Sequence, residues 1–242
     1  MQSIIYLICF VSVLIAGTIG YRRQGTIDQI TPRFLLNGIL MLLLGFTVLM
    51  IAWAAGYFTQ VIAAPFMMVL YSLTAGFILG SAVRLSSYRL QRGRILYIHR
   101  SFWTDHAPNL AAIVLILFGL YRTAVLTELP VTGIRLTSGL SIIAAGLFGW
   151  TLRLVPEFRI SGILHLDRWI PWSRVIAWRW VSEEALLIEY LQIDGDSESK
   201  KIRNFITSIP AGERKKLEYI LSSQMDAFRE KREALLTGGN SR

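Results

Sequence analysis

Five stretches of nearly unbroken apolar residues, at about 2–20, 34–55, 61–83, 108–126 and 134–154, fill the first two thirds of the chain. Each is long enough to cross a hydrocarbon core of about 30 Å, which takes roughly 20 helical residues. After Arg153 the continuous pattern gives way to alternation, the signature of half-buried strands. Arg159 to Leu166 reads as a first strand, and Asp167-Arg168 as a turn. Trp169 to Trp172 carries Pro171, which ends or edges a strand. Ser173 to Val181 alternates, with Val175, Ala177 and Arg179 on one face and Ile176, Trp178 and Trp180 on the other. Glu183-Glu184 turns the chain into a strand at Leu186 to Leu191, DGDSES (194–199) forms a polar hairpin loop, and Lys201 to Ile206 returns.

Pro210 opens a final helix, a favoured place for proline. Leu217, Ile220, Leu221, Gln224 and Phe228 recur along one face of that helix at helical spacing. The TGGNSR tail is expected to fray. Four strands and one helix in about 80 residues make a small module. The pattern thus predicts a polytopic α-helical membrane protein: five transmembrane helices over 1–154, then a C-terminal cytoplasmic α+β module over 155–242.

Composition agrees, with 53% hydrophobic and 17% charged residues and a mean hydropathy of +0.48. The net charge of +9 would suit nucleic acid, but its distribution argues otherwise. Residues 1–152 hold 10 Lys/Arg against 3 Asp/Glu, whereas residues 153–242 are nearly balanced at 15 against 13. The excess therefore sits in loops between apolar segments, where topology explains it, and no nucleic-acid partner is expected. The first and third loops carry eight arginines against two in the outer loops, which places them in the cytoplasm together with the C-terminal module. The first stretch lacks a basic residue ahead of it and is followed by Tyr21-Arg22-Arg23, so it reads as a retained helix with its N-terminus outside. Cys9, the single cysteine, lies in an apolar run and reads as a small hydrophobe.

Candidate chemistry is sparse. Asn37, Tyr71, Ser72 and Thr74 are the most interior polar groups of the apolar stretches and read as helix glue, each cross-helix hydrogen bond worth on the order of 1 kcal/mol. Ser72, Gly76 and Gly80 form one small-residue ladder, and Ser141, Ala145 and Gly149 another, marking close helix packing. The third loop (84–107) interleaves Arg89, Arg92, Arg94 and Arg100 with aromatics such as Trp103. Three readings stand open for it: RNA binding, a segment lying on anionic headgroups, or a hairpin around Gly93 docked on the C-terminal module. His99 and His106 lack a third ligand at metal spacing, and neither a nucleophile motif nor a phosphate loop is present, so no cofactor and no enzyme activity are expected.

Gly162-Ile163, Ile170-Pro171-Trp172-Ser173-Arg174-Val175, the Trp178 and Trp180 pair, and the KKIRNF strand before an amphipathic helix resemble the short PH-like domains at the C-termini of small bacterial multi-span membrane proteins. The resemblance covers roughly 157–236 and implies a partial PH-like sheet, short of seven strands, in the bacterial inner membrane. It brings no catalytic residues and no phosphoinositide site. The function expected is a non-enzymatic scaffold or accessory subunit for a protein partner, or a homo-oligomer, with Trp169, Trp172, Arg174, Trp178 and Trp180 as candidate contacts. The alternative is a small oligomeric transporter or channel.

Overall fold

The computed structural model describes residues 2–22, 31–99, 102–128, 130–193 and 200–237. The chain divides into two compact units. The first, Met1–Ser86 with His106–Leu152, is helical; the second joins Ser87–Asp105 to Arg153–Arg242. The chain therefore passes between the units three times.

The helical unit contains α1 (Gln2–Arg22), α2 (Pro32–Ala54), most of α3 (Gln60–Gln91), α4 (Ala107–Arg122) and α5 (Gly133–Thr151). Four of the five are long and apolar enough to cross a membrane; α4, at 16 residues, is shorter than the stretch expected over 108–126. It ends early because Thr123 to Leu126 turn instead, with Ala124 at a φ of +64°. Thr31 caps α2 by accepting the Phe34 N–H at 3.2 Å, and Pro32 fits the first turn, where no backbone N–H is needed. α2 buries none of its residues within the unit.

Glycine governs the packing of α1 on α3. A Cβ on Gly80 would stand 2.0 Å from the Gly17 carbonyl oxygen, and one on Gly20 2.1 Å from that of Phe77. The expected Ser72–Gly76–Gly80 ladder thus meets α1 within the same chain. On α5 the tight contacts fall on a different stripe from Ser141, Ala145 and Gly149. Gly139 and Gly146 would clash with Gly119 and Ala112 carbonyls at 2.8 and 2.9 Å, whereas Gly149 has only an ordinary 3.7 Å contact with Ala112. Ser141 is half-buried and bonds back to the Ser138 carbonyl at 2.7 Å.

Among its described residues the second unit holds seven strands. β1 (Ile95–Ile98), β2 (Arg153–Arg159), β3 (Gly162–Leu166) and β4 (Arg168–Pro171) form an antiparallel sheet in that order. A 3₁₀ turn, Trp172–Arg174, leads to a second sheet of β5 (Val175–Trp180), β6 (Ala185–Ile193) and β7 (Lys200–Ser208). Then α6 (Arg214–Ala227) and α7 (Arg229–Thr237) follow, so the single expected helix breaks at Phe228. The core draws on both sheets and α6: Phe158, Ile163 and Trp172 meet Ile188, Leu217 and Leu221, all at most 1% exposed.

Three departures from the sequence pattern have physical causes. The expected strand 159–166 is a hairpin, turning at Ile160-Ser161, with β2 preceding it; Pro156 and Glu157 hide β2, and a register shift between Arg153 and Glu157 accommodates them. The third loop contributes a strand, β1, rather than a hairpin, and Arg168–Pro171, expected as a turn and a strand end, pairs with β3 as β4; with β2 these take the strands from four expected to seven described. On β5 a bulge between Val175 and Ala177 turns Val175 to the core beside Trp178 and Trp180, so the strict alternation fails at its first residue. The expected 194–199 loop and the TGGNSR tail beyond Thr237 lie outside the described residues.

Beside the backbone pairing of β1 with β2, a buried guanidinium ties the end of α3 to the same sheet. Arg159 donates through Nε and Nη2 to the Glu157 carboxylate at 3.0 and 2.7 Å, and through Nη1 to the carbonyls of Arg89 and Gly93 at 2.8 and 3.0 Å. Arg89 lies in the last turn of α3, and Gly93 adopts a φ of +80°, the left-handed geometry that ends helices. A positive group is thus placed on the negative end of the helix. Ser161 Oγ donates to the Arg92 carbonyl at 2.6 Å, and the Trp172 indole donates to the Arg159 carbonyl at 2.8 Å.

Two measurements check this account. Arg159→Ala takes the guanidinium away from the buried Glu157 carboxylate and from two carbonyls, so chemical denaturation followed by tryptophan fluorescence should register a loss of about 3–5 kcal/mol; Glu157→Gln with Arg159→Met together should cost less than Arg159→Ala alone. In the helical unit, Gly80→Ala should destabilise by roughly 1–3 kcal/mol through overpacking. Gly45→Ala, where nothing lies within 4 Å of the added methyl, should be neutral or gain up to about 1 kcal/mol in a detergent thermal assay.

Candidate functional site

The tryptophans of the second unit divide by depth. Trp172 is fully buried and stacks on Phe158 with ring centroids 6.4 Å apart. It is a core residue, which corrects its expected place among the surface contacts. Trp178 and Trp180 are half-buried and pack their inner faces on the core. The Arg214 guanidinium lies 4.6 Å over the Trp180 ring and pairs with Glu218 at 2.9 Å. That guanidinium holds the half-buried Glu218 carboxyl below its ordinary range. Trp169 is half-buried beneath Arg92, whose guanidinium sits 5.2 Å from the indole and 5.7 Å from the Tyr88 ring. Arg174 is half-buried at the end of the 3₁₀ turn.

The arginines of the third loop are accordingly not a single exposed row. Arg89 and Arg92 are half-buried within the unit; Arg94 is exposed, and Arg100 lies outside the described residues. Trp103 stands 76% exposed in a π-helical turn, Phe102–His106, edge-on to the exposed Phe102. These two aromatics, Arg94 and Leu90, which is 86% exposed, are among the described residues of the loop that face outward.

A polar cluster missed by the sequence pattern sits where β1 meets the start of α6. The Tyr97 hydroxyl donates to Glu213, and His99 Nδ1 lies 3.6 Å from the same carboxylate. Lys216 stands 6.0 Å over the Tyr97 ring. Burial, then the Glu213 hydrogen bond and charge, push the Tyr97 phenol well above its ordinary value of about 10. Only the strand character of 95–98 could have signalled the cluster, since its members are 116 residues apart. Among the described residues no group of three or more His, Cys, Asp or Glu side chains could hold a metal ion. The arrangement clasps β1 to the start of α6 through Glu213. Against family models, curated proteins and solved structures the chain shows no match.

The raised phenol has a testable sign. An unfolded tyrosine ionises near pH 10 while the folded one stays protonated, so its contribution is intact below about pH 10 and is lost as pH rises beyond it. Wild-type stability in urea should therefore fall more steeply than that of Tyr97→Phe between about pH 9.5 and 11; parallel curves would contradict the Tyr97–Glu213 clasp.

Proposed function

We propose that the chain is an integral membrane protein of the bacterial inner membrane whose helices anchor a PH-like module at the cytoplasmic face, where the module acts as a non-enzymatic adaptor for a protein partner. The observation that carries this reading is the three chain passages between the units. A module built partly from the segment between α3 and α4 is joined to the helical unit by three chain connections rather than by one. Four strands plus three, closed by a helix that covers the shared core, support the PH-like reading. The arginine-rich segments around α1, α2 and α3 support the cytoplasmic placement.

The helical unit favours anchoring over transport. Its buried polar side chains among the described residues are serine and threonine hydroxyls, and Ser81, Thr123, Thr137 and Ser138 each bond a carbonyl of their own helix. The cleft of about 460 Å³ between α1 and α3 is lined chiefly by Val13, Leu14, Gly17, Gly76 and Leu79, with Thr18, Tyr21 and Arg22 as its polar residues and no carboxylate among them. Trp169, Arg174, Trp178 and Trp180 remain the candidate partner contacts, and Arg94 with Trp103 the candidate bilayer contacts.

Affinity purification in mild detergent followed by mass spectrometry tests the adaptor reading. A partner recovered with the wild-type chain should fall about tenfold or more with Arg174→Glu plus Trp178→Ala. Unchanged recovery, or flux through reconstituted liposomes, would favour the transporter alternative. Placement is checked by Tyr219→Cys on the exposed face of α6, which should react with an impermeant maleimide only after the inner membrane is opened.

A further inference from the structure

Two helices of the helical unit run side by side in the same direction. A Cβ on Gly76 would meet the Val13 carbonyl oxygen at 2.3 Å and one on Gly80 that of Gly17 at 2.0 Å, so the contacts advance together along α1 and α3. The C-terminal ends of the α1 and α3 contact faces therefore lie together, and beside this seam runs the cleft of about 460 Å³. It is lined at positions 13, 14, 17, 18, 21 and 22 of α1 and at 76, 79, 80 and 83 of α3, each set spaced as one helical face. Val13, Leu14, Leu79 and Val83 make it apolar, while its polar residues, Thr18, Tyr21 and Arg22, fall within the last five residues of α1. The Thr18 hydroxyl donates to its own Ile15 carbonyl at 2.7 Å, which leaves the exposed Tyr21 hydroxyl and Arg22 guanidinium as the side-chain donors of that end.

We propose that this cleft binds an anionic phospholipid: one acyl chain lies between α1 and α3, and Arg22 with Tyr21 holds the phosphate. The proposal rests on the reading of these helices as membrane-spanning, with the segment between α1 and α2 on the cytoplasmic side, where the leaflet is anionic. A guanidinium presents its N–H donors in a fork that matches phosphate oxygens, and no carboxylate in the lining competes for it. A second cavity, of about 310 Å³ around Tyr6, Met68 and Gly133, has no charged residue in its lining and so offers a headgroup no charge.

Size and charge together select the occupant. From Val13 to Arg22 a helix rises about 14 Å, so the cleft has a mean cross-section of roughly 33 Å², against about 80–110 Å² for a helix 10–12 Å across. A helix of this or another chain is too wide to enter, whereas an extended alkyl chain, whose carbons pack at contacts of about 4 Å, fits. An apolar channel with one cationic end has the polarity of an anionic amphiphile lying along it, headgroup at the C-terminal end of α1.

The test reconstitutes the full chain in nanodiscs of equal parts phosphatidylglycerol and phosphatidylcholine, then releases it into mild detergent for native mass spectrometry. The wild-type chain should keep phosphatidylglycerol in preference to phosphatidylcholine. Arg22→Gln should lower the retained phosphatidylglycerol about tenfold, the worth of one charge-assisted hydrogen bond. Arg33→Gln, an equally exposed arginine in the first turn of α2 and outside the cleft, should leave it unchanged. Leu14→Trp with Val83→Trp, both at exposed positions, should fill the cleft and remove both lipids while circular dichroism stays the same. Absence of retained lipid, equal retention of the two lipids, an equal loss with Arg33→Gln, or retention indifferent to the tryptophans overturns the proposal. So does a two-copy mass that the tryptophans reduce to one, which would put a second chain in the cleft. A chain that stays in solution without detergent overturns the membrane reading itself, whereas a detergent-dependent chain without retained lipid overturns the site alone.

Discussion

A guanidinium withdrawn from water has to find partners for its charge and its donors, and the second unit is organised around that demand. Arg159 satisfies it with one carboxylate two residues away and with two carbonyls some 70 residues earlier in the chain. Desolvating such a pair is costly, so its geometry is worth little as bulk stability and much as specification. Holding the Arg89 and Gly93 carbonyls together fixes the end of α3 and the residues that lead into β1, which pairs with β2. The indole of Trp172, donating to the carbonyl of the same arginine, ties this polar lock to the apolar core beneath it.

The two units solve opposite problems with different residues. In the helices, where side chains are uniformly apolar and offer little to distinguish one face from another, glycine carbonyls and α-carbons give the contacts their register, as at Gly17 against Gly80. In the sheet unit, shape comes from large side chains, and glycine enters where strands approach too closely for anything else. A Cβ on Gly162 would meet the Ile170 carbonyl oxygen at 2.3 Å. Removing bulk orders one unit and adding it orders the other.

Much of this was legible in the chain. Five apolar stretches gave five helices, and the alternation around Trp178, Leu186 to Leu191 and Lys201 to Ile206 gave the second sheet, because period and length are local properties. Elements whose reason is non-local escaped. β1 is four residues in an arginine-rich loop and gains its strand character only from β2. β2 contains a proline and a buried glutamate, residues that local preference assigns elsewhere. Trp172 looked like its surface neighbours because an indole serves equally in a core or at an interface; its depth follows from Phe158, whose strand was itself hidden. The Tyr97, His99 and Glu213 cluster was invisible for the same reason.

The borrowed strand also imposes a schedule. Ile95 emerges during synthesis well before Arg159, its partner 64 residues further on, and both helices of the α4–α5 hairpin are made between them. Closing so long a loop is slow compared with forming a helix or a neighbouring hairpin. The sheet therefore cannot be completed until the last helices exist, and a finished module is a record that the helical unit before it has been made in full.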